Sequence, residues 1–484
     1  MHSTRLDVVS HVASRREMLV REAAATLAAV VQIDAPPDAT FEQRETCVLG
    51  LANELSRRVL AADLQRVANS FTDEVRVGSS IYHRHEPGIV GYHSLCGDIE
   101  VMRHTYRDVS RRNGPTCVPL DLSVGMIEGA TPAFARSVAE GIADMPSRRY
   151  EALLVAAHRR PPSRSTLDRL VKAIGNEVKR DAPILASLVR ATESLPEGAH
   201  AVSIGLDRTS VPMTEERPPT EPPLSRRRTR EKPRVRKAPP PIDVVYRMAY
   251  VGTFSIVDRN GDALVTRKYA ATAEEGPDDI VASIVADVRH ARASRKLPVV
   301  VVQDGASELW GLMWDALREL GIPRKEWNLV LDRYHVTERM ALVLELLVRD
   351  ENRRVKLLSS WCARLDRSNR TVEQFAAWIL DETRDRPRLR RQAQPHQSYL
   401  YCNAVDGYTR YHTLRLRGFP TGSGVTEGAC KSLIAARCKR SGQRWQQDGL
   451  TAILTLRAIL HSDRMNALWR VFVRSRQRGV ECAA

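Results

Sequence analysis

Apolar and polar positions change period several times between residues 201 and 336. Some runs are rich in β-branched residues and have the length of buried strands, and two amphipathic stretches have the period of helices. Asn260-Gly261, between two such runs, is a strong signal for a β-hairpin. The predicted elements are a strand at 201–213, a hairpin at 242–272, a helix at 276–295, a strand at 297–305, a helix at 306–320 and a strand at 327–336.

Acidic residues stand at the ends of these predicted strands. Asp207 ends the first β-branched run, Asp304 follows the strand at 297–305, and Asp332 and His335 lie at the end of the last strand. The order of elements is that of a ribonuclease H-like α/β domain with a mixed five-stranded sheet, in which the first and fourth strands are neighbours. We therefore expect Asp207 and Asp304 to face each other at one edge of the sheet.

A third acidic residue, Glu427, follows the turn Gly422-Ser423-Gly424 and lies at the start of a long predicted helix rich in Lys and Arg. Three carboxylates at one sheet edge repel each other unless cations join them. Oxygen-only ligands suit Mg²⁺ or Mn²⁺, and two such ions assist both oxygens of a phosphoryl transfer. We expect two ions here. On the helix, four residues share a broad face around Glu427 and can hold it on the sheet: Cys430, Lys431, Ile434 and Cys438.

Each acid also has a structural interpretation. Asp207 is a residue type common in turns after strands, and Asp304-Gly305 is a turn signal in most proteins. Glu427 resembles a capping-box acid, although Ser423 precedes it by four residues, one more than the standard spacing.

The rest of the chain has mainly helical periods. Residues 1–200 are predicted to be mostly helical, with a strand-like interruption at 97–108, and residues 337 to about 400 form a charged, all-helical insert. Two helical patterns surround Pro161-Pro162, and the second begins with capping residues at 163–166. This pair fits a helix-turn-helix or, more commonly, a plain helical hairpin; its second helix exposes Arg164, Arg169 and Lys172.

Charge and cysteine content narrow the class of protein. The 484-residue chain has 74 Lys and Arg against 58 Asp and Glu, a net charge of +16, which favours a nucleic-acid partner over an anionic membrane. The sequence contains no apolar run of membrane-spanning length. Eight cysteines without a Cys-x-x-Cys pair give no support for a zinc site and favour a reduced, cytoplasmic setting.

A proline- and arginine-rich tract interrupts the predicted domain at 214–241. It holds eight prolines and nine Lys or Arg against four Glu, so it buries too little to fold alone and is predicted to be an extended, mobile loop. It fits a solvated linker or an arm that contacts phosphates through Arg226, Arg227 and Arg228.

Several blocks resemble one protein family. GFPTGSGVTEGACKSLIAARCKRSGQRW (418–445), followed by LTLRAI, resembles the segment around the catalytic glutamate of bacterial insertion-sequence transposases of the ISKra type. VVVVQDGASELW, VLDRYHVTERM and the weaker SIGLDRTSVPM resemble three further blocks of that family. CGDIEVMRHTYRD and CVPLDLSVGM resemble its N-terminal part, so the similarity extends from about residue 90 to 470.

The resemblance implies a DDE transposase that cuts and joins the ends of an insertion sequence with divalent metal. Its catalytic and metal-binding triad would be Asp207, Asp304 and Glu427, with Asp332 and His335 as a supporting pair; Asp332 is the alternative second acid. Expected partners are double-stranded DNA, at transposon ends and target, and a second copy on DNA. The bacterial cytoplasm, near the nucleoid, is the expected location. The basic residues expected to contact DNA are Arg164, Arg169, Lys172, Arg226, Arg227, Arg228, Lys431, Arg437, Lys439, Arg440 and Arg444.

The predicted domains follow from these segments: a helical region at 1–90, a DNA-binding region at 91–200, the first part of the core at 201–336, the insert at 337–400 and the completion of the core at 401–484. Two other functions fit the same features. A domesticated descendant would bind DNA without cutting it, and a structure-specific nuclease would cut without joining.

Overall fold

The computed structural model describes residues 17–18, 20–32, 36–108, 110, 114–216 and 242–482. Most of the proline- and arginine-rich tract, including Arg226, Arg227 and Arg228, lies outside the described residues. The chain divides into two compact units, Met1–Ile174 with Arg470–Ala484, and Gly175–Trp469. Each unit contains one five-stranded sheet, so the protein combines helices with two separate sheets.

The sheet of the first unit is antiparallel, with the strand order β10-β1-β2-β3-β4. Apolar positions alternate along GDIEVMRHTYR, which buries Ile99, Val101 and Tyr106 on one face, where Leu64 packs. The strands are β1 (Glu74–Val77), β2 (Ser80–Ser94), β3 (Gly97–Arg107), β4 (Thr116–Cys117) and β10 (Val480–Cys482).

Helices accompany this sheet, and residues 20–32 are helical as well. The first long helix begins with a capping box in which Thr40 and Gln43 bond each other's backbone N–H groups. The predicted cap before the helix at 164 is confirmed, since Ser163 Oγ accepts from the Thr166 N–H at 3.2 Å. The helices are α1 (Phe41–Asn69), α2 (Pro119–Val124), α3 (Pro132–Asp144), α4 (Ser147–Ala156) and α5 (Arg164–Arg180), the last of which continues past residue 174.

The prediction of a mainly helical N-terminal region is wrong between residues 74 and 107, where three strands form most of a sheet. The strand at 97–108 was predicted, but β2 was missed. Most β2 residues are exposed or half-buried on both faces, so apolar and polar positions do not alternate along it.

The sheet of the second unit has the order β7-β6-β5-β8-β9. β5 pairs antiparallel with β6 and parallel with β8, β6 pairs antiparallel with β7, and β8 pairs parallel with β9. The predicted sequence of five strands and two helices in this region is confirmed. The elements are β5 (Ala201–Glu216), β6 (Ile242–Val257), β7 (Ala263–Ala271), α7 (Asp278–Ser294), β8 (Val299–Gln303), α8 (Ser307–Glu319) and β9 (Asn328–Leu331), with α6 (Ala182–Arg190) before them and a 3₁₀ turn at Arg324–Glu326.

Two helical layers cover this sheet. Val299 and Val301 of β8 point into the core made with α7 and α8, whereas Val300 and Val302 point into the core made with the helices after β9. The predicted helical character of residues 337–400 is confirmed. The helices are α9 (Arg333–Leu347), α10 (Glu351–Leu365), α11 (Thr371–Glu382), α12 (Pro387–Val405) and α13 (Tyr411–Leu416).

Two predicted boundaries are wrong. The last strand ends at Leu331, and His335 lies in the first turn of α9 because Asp332 caps that helix by accepting from the Tyr334 N–H. The helix of Glu427 is not one long helix. It consists of α14 (Gly424–Ala429), a π-helical turn at Cys430–Ala435, α15 (Ala436–Cys438), α16 (Gln447–Leu460) and α17 (Met465–Arg476).

Among the described residues, none of the helices combines the length and the apolar character needed to cross a bilayer.

Candidate active site

Three aspartates lie level with one another across β5, β8 and β9: Asp304 and Asp332 directly follow β8 and β9, whereas Asp207 lies within β5. Val202 pairs with Val299, so continuing that register by five residues sets Asp207 level with Asp304. Gln303 pairs with Leu331, so the next pair in register is Asp304 and Asp332. Neighbouring strands are about 4.8 Å apart. The predicted adjacency of the strands that carry Asp207 and Asp304 is confirmed.

The prediction that Asp207 ends its strand is wrong: Asp207 lies within β5, which continues to Glu216 because β6 pairs with it along its whole length. Its Oδ1 accepts from the Arg208 N–H at 2.6 Å, and its Oδ2 accepts from the Cys430 thiol at 3.2 Å. Burial, with the nearby negative charge of Asp207, raises the pKa of the Cys430 thiol well above its usual range. The thiol is therefore protonated at neutral pH and serves as a donor to the carboxylate.

Asp304 begins the loop between β8 and α8. Its Oδ1 accepts from the Ala306 N–H at 2.9 Å, and its backbone carbonyl accepts from the Tyr399 hydroxyl at 2.9 Å. Gly305 has φ +97°, and a Cβ there would lie 2.5 Å from the Tyr399 oxygen, so only glycine allows this approach. Burial raises the pKa of Tyr399 to about 12, so the hydroxyl is protonated and able to donate.

Asp332 is buried, with 1% of its surface exposed. Its Oδ1 accepts from the Tyr334 N–H at 2.6 Å, and its Oδ2 accepts from both the backbone N–H of Ser423, at 3.0 Å, and the Ser423 hydroxyl. The Gly-Ser-Gly turn before Glu427 thus holds the carboxylate of Asp332. Ser423 forms no side-chain cap for the helix of Glu427, so the capping-box interpretation of that acid is not supported.

The helix of Glu427 lies directly against β5 and β6 because one strand residue has no side chain. A Cβ at Gly205 would lie 2.5 Å from the Thr426 hydroxyl oxygen and 3.0 Å from the Val302 carbonyl oxygen. The Thr426 and Thr253 hydroxyls share a hydrogen bond of 2.7 Å in this buried contact. Glu427, next to Thr426, is half-buried and therefore held at the edge of the sheet.

Two nitrogen-bearing side chains approach the carboxylate of Glu427, the imidazole of His335 and the ammonium group of Lys431. Its Oε1 lies 3.9 Å from His335 Nε2, and its Oε2 lies 3.8 Å from Lys431 Nζ. The other ring nitrogen of His335, Nδ1, lies 3.5 Å from Glu338 Oε2. His335 therefore stands between two carboxylates.

One group of metal-ligand atoms comes together among the described residues. Asp332, His335 and Glu427 each offer an atom within 4.8 Å of the other two. Two carboxylates and one imidazole are ligands that Mn²⁺ and other transition metals accept, whereas Mg²⁺ prefers oxygen alone. Asp207 and Asp304 do not belong to this group, so the structure does not bring the predicted triad together as a single three-ligand cluster.

The hydrogen bonds distinguish Asp304 from Asp332 as a ligand. Asp332 already accepts three hydrogen bonds, which leaves its carboxylate little capacity for a metal ion. Asp304 accepts one, on Oδ1, and its side chain is half-buried at the surface of the edge. By free hydrogen-bonding capacity Asp304 is the more available carboxylate, whereas by position Asp332 is the aspartate whose ligand atom lies near those of His335 and Glu427.

The predicted DNA-contacting residues after Glu427 are in different environments. Lys431 and Arg444 are exposed, and Lys439 is exposed while donating to the Thr209 hydroxyl at 2.5 Å. Arg440 is half-buried, and its Nε donates to the Ala436 carbonyl oxygen at 2.8 Å. The prediction for Arg437 is wrong: it is buried, with its guanidinium 4.9 Å from the centre of the Trp445 ring, because the π-helical turn rotates this residue inward.

The predicted basic residues of α5 lie in the first unit. Arg164 and Arg169 are exposed and Lys172 is half-buried. Arg164 forms an ion pair of 3.4 Å with Glu151 of α4.

Sequence reasoning missed three residues that hold the acidic positions: Ser423 and Cys430 bind the carboxylates of Asp332 and Asp207, and Tyr399 binds the backbone carbonyl of Asp304. The Gly-Ser-Gly turn was a usable signal for Ser423, since it is the polar residue of a turn beside an acid. Cys430 was assigned only to packing, and Tyr399, within a charged helix, had no local signal. Each contact joins residues far apart in sequence.

Comparison with protein-family models finds no family that matches this chain, and comparison with curated proteins finds no match.

Proposed function

We propose that the protein is a metal-dependent DNA transposase of the DDE type, built on a ribonuclease H-like core. One observation carries this proposal: the segment with Glu427 is hydrogen-bonded to two of the three level aspartates, through one residue before Glu427 and one residue after it. Ser423 binds Asp332 four residues before Glu427, and Cys430 binds Asp207 three residues after it. The helix segment with Glu427 is therefore tied to Asp332 on one side of Glu427 and to Asp207 on the other.

The sheet supports the choice of fold. Its strands follow the order third, second, first, fourth and fifth along the domain, with the second antiparallel to the first and the fourth and fifth parallel to it. In this arrangement Asp207, within β5, is level with the residues that follow the carboxyl ends of β8 and β9, and carboxyl ends of parallel strands are the usual position of a site in an open α/β sheet.

Asp207, Asp304 and Glu427 are the residues proposed to hold divalent ions, with Mg²⁺ or Mn²⁺ as the fitting metals and two ions expected. When bound, such ions activate an attacking oxygen and stabilise a leaving oxygen in phosphoryl transfer. Asp332 positions the turn before Glu427 by binding Ser423. His335 positions the carboxylate of Glu427. Lys431, Lys439 and Arg444, exposed around the site, are placed to contact DNA phosphates.

The test is strand cleavage and joining on a DNA fragment that carries the element's own ends, with Mg²⁺ or Mn²⁺. Wild type is compared with Glu427→Gln and with Glu382→Gln, an exposed acid of α11 as the matched control. We expect metal-dependent cleavage and joining that Glu427→Gln abolishes and Glu382→Gln leaves unchanged.

Other outcomes would favour one of the alternative functions. Binding to the ends without cleavage by wild type would favour the non-catalytic, domesticated alternative. Cleavage without joining would favour a nuclease. The proposed dimer on DNA is tested by the mass of the protein–DNA complex in solution.

A further inference from the structure

A cavity of about 400 Å³ lies beside β9, the edge strand of the second sheet. Its walls come from the C-terminal half of α8, the turn before β9 and the loop between α12 and α13. Three aromatic and three cationic side chains dominate them: Trp314, Trp327, Tyr408, Arg318, Arg324 and Arg410. None of the proposed metal ligands lines this cavity, and its place in the fold is at the entry to β9, whereas Asp332 follows the exit of that strand.

The aromatic residues are held in place by contacts behind them. Tyr408 stacks on Trp310, with ring centres 4.8 Å apart and an interplanar angle of 25°. Trp327 donates its indole N–H to the Ile322 carbonyl oxygen at 2.8 Å. All three lining rings are half-buried, so each is fixed and still presents part of its surface to the cavity.

One of these rings has an unused donor. In the described part of the chain, the indole Nε1 of Trp314 is buried and has no hydrogen-bond partner. Because this nitrogen is fully buried, it does not face the cavity, and Trp314 offers a bound molecule ring surface and not a hydrogen-bond donor.

The three arginines give the cavity a net positive charge. The guanidinium groups of Arg318 and Arg324 lie 5.9 Å and 6.0 Å from the centre of the Trp327 ring. Arg318 forms an ion pair with Asp315 at 2.5 Å, whereas among the described residues neither Arg324 nor Arg410 forms an ion pair. Arg324 and Arg410 are exposed cations with their charges available to a ligand.

Backbone geometry supports the position of Arg410. Gly407 has φ +83°, and a Cβ there would lie 3.1 Å from two guanidinium nitrogens of Arg410. The guanidinium thus rests directly on the backbone of the loop. Asp406 is the single acid in the lining, and a carboxylate can accept from the exocyclic amine of a base or from a sugar hydroxyl.

We propose that this cavity binds a nucleotide unit, that is, a planar heterocycle with its phosphate. Indole and phenol rings stack on the heterocycle, and Arg324 and Arg410 bind the phosphate, the combination by which proteins hold unpaired bases. The same chemistry is offered by a free mononucleotide and by an unpaired base of a nucleic-acid strand. The proposal goes beyond the transposase function and does not depend on it, because the cavity shares no residue with the proposed metal site.

The experiment measures equilibrium binding of two probes to the full chain: AMP, and a fluorescent single-stranded oligo(dT) of twelve nucleotides. A chelator is present throughout, so no divalent ion contributes. The double variant Arg324→Ser/Arg410→Ser and the single variant Trp327→Leu are compared with Arg388→Ser/Arg390→Ser. That control removes two exposed arginines from α12 and changes the net charge equally.

We expect each cavity variant to weaken probe binding by about tenfold or more, the size of a lost stacking or phosphate contact, while the control stays within about twofold. Weakening for both probes, with AMP displacing the oligonucleotide, identifies one cavity that accepts a free nucleotide or a base in a strand. Weakening for the oligonucleotide alone identifies the strand as the source.

Two results would overturn the proposal. One is equal binding by the cavity variants and the control, which would make the aromatic and cationic cluster purely structural. The other is displacement of both probes by inorganic phosphate alone at the same concentration as AMP, together with unchanged probe binding by Trp327→Leu. That result would make the cavity an anion site. Thermal unfolding of each variant checks that the fold is intact.

Discussion

The thiol of Cys430 donates to the carboxylate of Asp207 over 3.2 Å and thereby joins the helix of Glu427 to the central strand of its sheet. The contact occurs in a π-helical turn, a feature that is rare in helices and often found at functional sites. It sets two of the proposed catalytic acids in a defined relation, since Glu427 lies three residues before the donor.

Replacement of Cys430 tests this relation. Cys430→Ser keeps a donor of similar size and should keep most of the strand-cleavage activity. Cys430→Ala leaves the half-buried Asp207 without this donor and should lower the rate about tenfold, a typical consequence of losing a hydrogen bond to a charged group. Cleavage rates of both variants at saturating Mg²⁺ give the comparison, and equal rates for Ala and Ser would remove the hydrogen bond from the mechanism.

Asp304 and Asp332 should respond differently to conversion to Asn. Asp304→Asn keeps the Oδ1 acceptor for the Ala306 N–H, so the protein should fold normally and lose cleavage. Asp332→Asn places an amide N–H₂ where Oδ2 now accepts from Ser423, so it should lose about 1–3 kcal/mol of unfolding free energy.

Chemical denaturation and cleavage assays on both variants separate these effects. A fully stable, inactive Asp332→Asn protein beside an active Asp304→Asn protein would make Asp332 the second acid.

Gly205 should tolerate no side chain. A Cβ there would collide with the Thr426 hydroxyl and the Val302 carbonyl, both of them buried or in the sheet, so Gly205→Ala should cost about 1–3 kcal/mol of unfolding free energy. Gly311→Ala is the matched control, because apart from its chain neighbours and the adjacent backbone of α8 no atom lies within 4 Å of the new Cβ. Since alanine favours helix, that control should be neutral or stabilising by up to about 1 kcal/mol. Urea unfolding of both variants makes the comparison.

A buried ion network predicts how stability depends on pH. Burial acts to raise the pKa of Glu193, but hydrogen bonds and charge from Arg464, together with the charge of Arg267, outweigh it and hold the pKa below its usual range. Because the folded-state pKa is lowered, the stabilisation by Glu193 is fully present above its unfolded-state pKa of about 4.3 and is lost as the pH falls through the folded-state value.

Glu193→Gln should therefore be less stable than wild type at pH 7, with the difference shrinking as the pH falls below about 4. Thermal unfolding midpoints between pH 3 and pH 7 supply the test, within the range where the protein refolds. Glu215→Gln, which removes an exposed partner of Arg247, is the control and should leave the midpoint nearly unchanged. A constant difference between wild type and Glu193→Gln across this range would contradict the assignment.

The local pattern of apolar and polar residues was sufficient to predict most strands and helices of the second unit. Continuous apolar runs marked β8 and β9, Asn260-Gly261 marked the turn between β6 and β7, and amphipathic periods marked α7 and α8. These signals are strong because each element is buried on one or both faces, so burial dictates its residue types. The adjacency of the strands that carry Asp207 and Asp304 followed from the order of elements.

In the first unit, the local sequence pattern does not reveal every strand. β2 is exposed or half-buried along most of its length and contains Pro87, Gly88 and Gly91, so its sequence carries no period, and only pairing with β1 and β3 makes it a strand.

By itself, the sequence therefore determined that Asp304 and Asp332 follow strands, the order of elements in the second unit and the positive charge of the chain. Tertiary structure alone decided which side chains meet: Ser423 with Asp332, Cys430 with Asp207, Tyr399 with the loop of Asp304, and Arg437 with Trp445 in the interior. The reason is physical. A local pattern records which face of an element is buried, whereas a hydrogen bond between residues distant in sequence depends on register, helix phase and the absence of a side chain at Gly205.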